Sequence, residues 1–179
     1  MCPQVFTPRN SMQTVCGPVC ATKLAKGLVK VRKDNAKAER AQTKARKEKI
    51  KTIPDLIKEA QREFNAYVRA RDRHRGFPCI SSGRILDWSG NAVDAGHYRS
   101  VGAAPHLRFD ERNCHAQSKH DNQWKSGNVV DYRINLIQRI GLEAVESLEA
   151  DNRIHKWRRD ELIAIKNKYR AMRKELEGK

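Results

Sequence analysis

The sequence predicts an α+β chain, mostly helical, in which a small strand-strand-helix core is flanked by packing helices and preceded by a long basic N-terminal helix. Three observations predict this. Apolar residues recur every three or four positions over 54–73 and again over 159–176, the period of helices with one face to bury. Between them, residues 76–128 change texture to short strand-like pieces and turns, dense in His, Asn, Asp and Ser. Residues 21–52 are rich in Ala, Lys, Arg and Glu and nearly free of large apolar side chains after Val31.

The 179 residues suffice for one ordinary domain plus an extended appendage. Thirty-seven Lys and Arg against 21 Asp and Glu give a formal charge of +16, far beyond what solubility needs. A polyanionic partner follows. No apolar run approaches the roughly 18 residues of a spanning helix, and no signal peptide opens the chain, so the cytoplasm is the expected location. Five cysteines, an odd number, argue for thiols or metal ligands over a disulfide framework. At 6% aromatic residues, a large single-strand stacking platform is disfavoured.

In residues 1–20, Cys2, Cys16 and Cys20 present most of a zinc knuckle, one ligand short; unrelated reduced thiols are the other reading. Residues 21–52 hold twelve basic and three acidic residues, helical by propensity but without a continuous apolar stripe. A solvated, partly frayed helix is expected, either a soluble linker or an arm that tracks phosphates with Lys30, Arg32, Lys33, Arg46 and Lys47. The rest, 53–179, is one domain. Pro54 suits the first turn of a helix reaching about Arg73, with Leu56, Ile57, Ala60, Phe64, Tyr67, Val68 and Arg71 on its buried face. Beyond Asn128 come "YRINLIQRI", stopped by Gly141, a short helix around "LEAVESLEA", a turn at Asp151 and Asn152, and a last helix from about Arg159 to Leu176.

Within the central region, "PCISSGRILDWSGNAVDAGHYRS" followed by "ERNCHAQSKHDNQWKSGN" has the layout of the ββα-metal, or HNH-like, nucleases. Phosphodiester hydrolysis needs a base to take a proton from water and a divalent cation to neutralise charge on the phosphate and leaving oxygen. His97 suits the base, and Asn113 a group that fixes the hairpin so that His97 points correctly. Asp94 and Asn122 suit the ligands of Mg²⁺ or Mn²⁺, which prefer oxygen.

The words "DAGHYRS", "APHLRFDERN" and "NQWKSGN" closely resemble the NinG, or Rap, recombination proteins of lambdoid bacteriophages, and "FTPRNSMQTVC", the basic arm and the last helix extend the resemblance over nearly the whole chain. The resemblance implies a structure-selective endonuclease that nicks branched DNA, such as Holliday junctions and D-loops, during phage recombination in the bacterial cytoplasm. Carried over by position, His97 is the general base, Asn113 its orienting residue, and Asp94 and Asn122 the metal ligands. His115 falls beside Asn113, to bond a phosphate or brace the fold, while Lys125 and Arg99 are placed to touch the DNA backbone. Host or phage recombination proteins are further partners, and the symmetry of a junction suggests a homodimer.

The sequence also departs from that pattern. The NinG relatives it resembles carry Cys-x-x-Cys twice around the hairpin, binding a structural Zn²⁺; here the pairs read Cys79 with Ser82 and Ser118 with Asp121. One thiol remains, so Zn²⁺ is expected to have at best a weakened site, with His120 a further candidate ligand. Trp124 stands where some relatives have His, and Gly96 precedes His97 where other HNH enzymes often have a ligand. The leading reading is therefore a metal-dependent endonuclease. The alternative is a catalytically impaired relative that still binds branched DNA, and an RNA-binding protein is a third class that fits the charge alone.

Overall fold

The computed structural model describes residues 5–125 and 127–178 and divides into two units, 1–51 and 52–179. In the first, Gly17 precedes a 33-residue helix α1 (Pro18–Ile50), about 50 Å long at 1.5 Å per residue. Pro18 at its start leaves no helical N–H unused. None of its residues is buried, and Leu24, Leu28, Val29 and Val31 are all exposed. The fraying expected from the sequence gives way to one continuous helix, because Ala, Lys, Arg and Glu are all strong helix formers and no Pro interrupts them.

The second unit opens with α2 (Ile53–His74). Thr52 caps it, accepting from the Asp55 N–H while Asp55 accepts from the Thr52 N–H, a reciprocal capping box. The apolar stripe then buries as its spacing predicts: Leu56, Ala60, Phe64, Tyr67 and Val68 pack with Leu162 and Tyr169 of the last helix, α6 (Arg159–Glu177), and with Phe109 and Cys114. Burying Leu56, Phe64 and Val68 contributes roughly 1.5–3 kcal/mol each. Phe64 and Tyr169 meet edge-on with ring centroids 4.8 Å apart. Lys166 and Arg170 of α6 flank this contact with ion pairs to Glu59 and Glu63, at 3.1 and 3.0 Å.

Strands β1 (Val93–His97) and β2 (Cys114–Ser118) pair antiparallel, from Val93 opposite Ser118 to His97 opposite Cys114, and α3 (Lys119–Trp124) follows directly from β2. A single 3-10 turn at Pro105–Leu107 lies in the connection between the two strands. Helices α4 (Val129–Ile140) and α5 (Leu142–Ala150) meet at Gly141, whose φ of 87° lies in the left-handed region that favours glycine. Tyr132 and Leu136 of α4 and Val145 and Leu148 of α5 close a second core with Ile80, Ala104 and Leu107. A third, small cluster of Cys79, Leu86, Val93 and Ala116 lies beneath the hairpin, with Trp88 packed against it.

Candidate functional site

Two of the residues expected at a metal centre meet. Asp94 Oδ2 accepts from Asn122 Nδ2 at 3.0 Å, and a residue the sequence did not single out, Gln123, donates to the same oxygen at 3.1 Å. His97 is not with them. Residues three apart on a strand point to opposite faces, and the His97 ring turns toward α2, 6.1 Å from the Phe64 ring. Its Nε2 lies 3.0 Å from the Arg108 carbonyl and its Nδ1 3.7 Å from Cys114 Sγ, and burial holds its pKa below the ordinary range. The proposed base and the proposed ligands therefore occupy different faces of β1. Gly96 carries no ligand for a steric reason: a Cβ there would fall 2.0 Å from Oε1 of the buried Gln117.

The donor set at Asp94 is one carboxylate and two amides. Both amides turn their N–H groups to the carboxylate, so in this arrangement only Asp94 offers oxygen to a hard cation such as Mg²⁺. It is not a freestanding cage. Trp124, on the same short helix, adds no ligand and is 79% exposed.

Asn113 is buried and clamps the loop between the strands. Its side-chain oxygen accepts from the Arg99 N–H at 2.8 Å, while Nδ2 donates to the carbonyls of Arg99 and Leu107 at 3.0 and 3.2 Å. His115 is buried too, with Nε2 at 3.1 Å from the Arg112 carbonyl and Nδ1 at 3.2 Å from Arg71 Nη2. That placement suits bracing rather than phosphate contact. Burial, then the charge of Arg71, pushes the His115 pKa down from 6.5 to about 3.

Below about pH 6.5 the unfolded chain binds a proton at His115 that the folded chain refuses, so this stability is fully present above pH 6.5 and declines as pH falls toward 3. Urea unfolding is expected to show a lower free energy at pH 5 than at pH 7, with a shallower dependence in His115→Gln. Equal slopes in the two proteins would remove His115 as the source.

The positions matched to a zinc knuckle do converge. Cys79, Ser82, Ser118 and Asp121 line one cavity. Asp121 Oδ2 accepts from Ser81 Oγ at 3.1 Å and lies 3.6 Å from Cys79 Sγ; the Ser118 N–H donates to that sulfur at 3.2 Å, and Ser118 Oγ accepts from the Asp121 N–H at 3.1 Å. Lys125 Nζ sits 3.3 Å from the second Asp121 oxygen. Burial raises the Asp121 pKa, but hydrogen bonds from Ser82, Ser118, Lys125 and Ser81 outweigh it and hold the carboxyl well below the usual range. These residues do not fit Zn²⁺. One thiol and one carboxylate are already saturated by hydroxyl and N–H donors, and serine hydroxyls are poor zinc ligands beside thiolates. His120 points its Nδ1 toward Asp121 at 3.6 Å but is mostly exposed. The site is a hydrogen-bonded knuckle, in which Ser81, overlooked in the sequence, is the most deeply buried hydroxyl.

Cys16 and Cys20 bring their sulfurs within 3.4 Å at the start of α1, while Cys2 lies outside the described residues. Among the described residues no group of three or more His, Cys, Asp or Glu side chains could hold a metal ion. No helix among them is long and apolar enough to cross a membrane.

Of the residues assigned to DNA, Lys30, Arg32, Lys33, Arg46 and Lys47 are exposed along α1, and Lys125 is half-exposed beside Asp121. Arg99 is placed otherwise. Its guanidinium donates to the carbonyls of Leu148, Glu149 and Asp151 and to Asn152 Oδ1, capping the C-terminal end of α5 where unpaired carbonyls attract a cation.

The whole chain, residues 1–179, matches the family described as Bacteriophage Lambda NinG protein. It is 44% identical to protein ninG of Salmonella phage P22 over 98% of this chain and 90% of the relative. With protein ninG of Escherichia phage lambda the identity is 43%, over 98% and 89%, and with that of Escherichia phage 933W 44%, over 98% and 91%. No solved structure matches it. Identity at this level over 98% of the chain, with a family match over residues 1–179, means that the chain belongs to the NinG family.

Proposed function

We propose that this chain binds branched DNA intermediates of phage recombination through its basic helix, and that its capacity to cut them is impaired. The observation that carries binding is α1, in which eleven basic side chains against three acidic ones over residues 21–50 stand on a helix with nothing buried. Cations held in such a row displace counterions from phosphates, an affinity without sequence information. The branched substrate is what the resemblance to recombination proteins implies.

Impairment is supported by the separation of His97 from Asp94 across β1 and by the single carboxylate at the Asp94 cluster. A second reading, nicking of the junction with Mg²⁺ or Mn²⁺, is favoured by the approach of Asn122 and Gln123 to Asp94. Incubating a labelled four-way junction with the protein and either cation separates the two. Binding without nicks supports the first, whereas nicks that vanish in Asp94→Ala establish the second.

Deleting residues 21–50, which leaves the Thr52 cap intact, is expected to weaken binding to junction and duplex alike. It should also flatten the salt dependence, by about 0.9 in the slope of log affinity against log salt for each phosphate that the helix no longer neutralises. An unaltered slope would make the helix a linker and remove it from the interface.

A further inference from the structure

Away from the Asp94 cluster, one groove combines unpartnered cations with an anchored aromatic ring. One wall is α2, where Arg69 and Arg73 stand one turn apart; the other is the turn carrying Trp88, with Arg173 of α6 at the end. Among the described residues neither the Arg69 nor the Arg73 guanidinium makes a hydrogen bond or ion pair, whereas Arg173 bonds Glu177 at 2.9 Å. The one other acid on the lining, Asp87, is turned into its own loop, accepting from the Ser89 N–H and hydroxyl at 2.8 and 2.6 Å. Trp88 is half-buried: part of the indole packs on the cluster of Cys79, Leu86, Val93 and Ala116, and the remainder lines the groove. A ring fixed on one side by a core loses little freedom when a second flat group stacks on it.

We propose that this groove holds an unpaired stretch of DNA, with one base stacked on Trp88 and adjoining phosphates on Arg69 and Arg73. The chemistry singles out a single strand. Unpaired bases expose the flat faces that aromatic side chains stack on, and two guanidinium groups at one-turn spacing supply phosphate partners. Paired bases are stacked on each other and do not offer a free face to the indole that lines this groove. The inference deepens the branched-DNA reading and rests on it, because branched intermediates such as D-loops carry a displaced, unpaired strand beside their paired arms.

Fluorescence anisotropy of the full chain on a labelled single strand, a duplex of equal length, a four-way junction and a single-stranded RNA tests it. Trp88→Leu, which keeps apolar packing but removes the π face, is expected to weaken single-strand binding roughly tenfold, the order of one base stack. Duplex affinity should stay within about twofold, because duplex phosphates need no stacking face. Trp88→Phe should restore most of the affinity, and Arg69→Ala with Arg73→Ala should reproduce the weakening with a flatter salt dependence. An equal loss on duplex and single strand, no loss at all, or tighter binding of the RNA would overturn the groove assignment. A wild-type chain that prefers no branched form yet loses single-strand affinity in Trp88→Leu would overturn the branched-DNA reading and leave the groove standing. Single-strand binding untouched by both sets of substitutions, with a branched form still preferred over duplex, would do the reverse.

Discussion

Asp72→Ala is expected to lower the melting temperature by roughly 10–20 °C. Asp72 is fully buried, and its Oδ1 takes Arg71 Nε at 2.7 Å while Oδ2 takes the Ala116 N–H of β2 at 2.6 Å. Arg71 is buried beside it and also donates to the carbonyls of Glu111 and Cys114, at 3.2 and 2.9 Å, with His115 Nδ1 at 3.2 Å from Nη2. Alanine would leave the buried guanidinium with the Glu111 carboxylate, 3.6 Å from Nη1, as its remaining countercharge, and a strand N–H without an acceptor. Breaking a buried pair in this way costs about 3–5 kcal/mol, a large fraction of the roughly 5–15 kcal/mol that typical domains possess. Asp72→Asn, which keeps an acceptor for Ala116 but no charge, should fall between, and Arg71→Met added to Asp72→Ala should recover part of the loss by removing the stranded cation. A thermal melt followed by circular dichroism reads all three. A shift of only a degree or two in Asp72→Ala would mean that water reaches Arg71 and that the pair does not hold α2 to β2.

The sequence showed one half of this arrangement. Arg71 lies on the apolar stripe of α2 at the spacing of Phe64, Tyr67 and Val68, so its burial was legible; Asp72 falls four residues past Val68 on the same stripe, but nothing local announces its partner at Ala116, 44 residues away. The same division runs through the candidate site. Thr52, Pro54 and Asp55 announce where α2 begins, Gly141 where α4 stops, and the period of Leu162, Ile165 and Tyr169 the inner face of α6, all being local rules. That Asp94 and His97 diverge also follows locally, since side chains alternate along a strand, but a motif read as a string of residue types hides the alternation. What no local rule reaches is Gln117, whose buried amide fills the space beside Gly96 and whose Nε2 donates to Ser81 Oγ and the Gly127 carbonyl at 3.0 and 2.7 Å. Cross-strand register places it there. Arg99 escaped for a similar reason: an Arg near a nuclease-like motif suggests phosphate, yet the end of α5, about 50 residues later, supplies acceptors for it.

Restoring three cysteines at the knuckle, with Ser82→Cys, Ser118→Cys and Asp121→Cys beside the native Cys79, is expected to create a site for about one zinc ion per chain and raise the melting temperature by roughly 10 °C or more. Geometry supports this, because the four side chains already line one cavity and Cys79 Sγ lies within 3.6 Å of the Asp121 carboxylate. Four thiolates would close a tetrahedral shell from two separated turns, and Lys125, now opposite Asp121, would remain opposite a site of net negative charge. Structural zinc contributes about 10–16 kcal/mol in small peptides, but the gain here must be smaller. The substitutions remove the hydrogen bonds that Ser81, Ser82 and Ser118 direct at the Asp121 carboxylate, which brace the same turns in the native chain. The native protein supplies the complementary arm: its melting temperature should not change with a strong chelator, because its knuckle is closed by donors and acceptors of its own. Elemental analysis of the dialysed proteins, paired with melts in chelator, measures both. Zinc bound without a rise in stability would mean that the hydrogen-bonded cluster braces the hairpin as well as a metal does. Absence of zinc from the triple variant would mean that the four sulfurs cannot reach a common point, and a native melt lowered by chelator would show that Cys79 and Asp121 hold a metal after all.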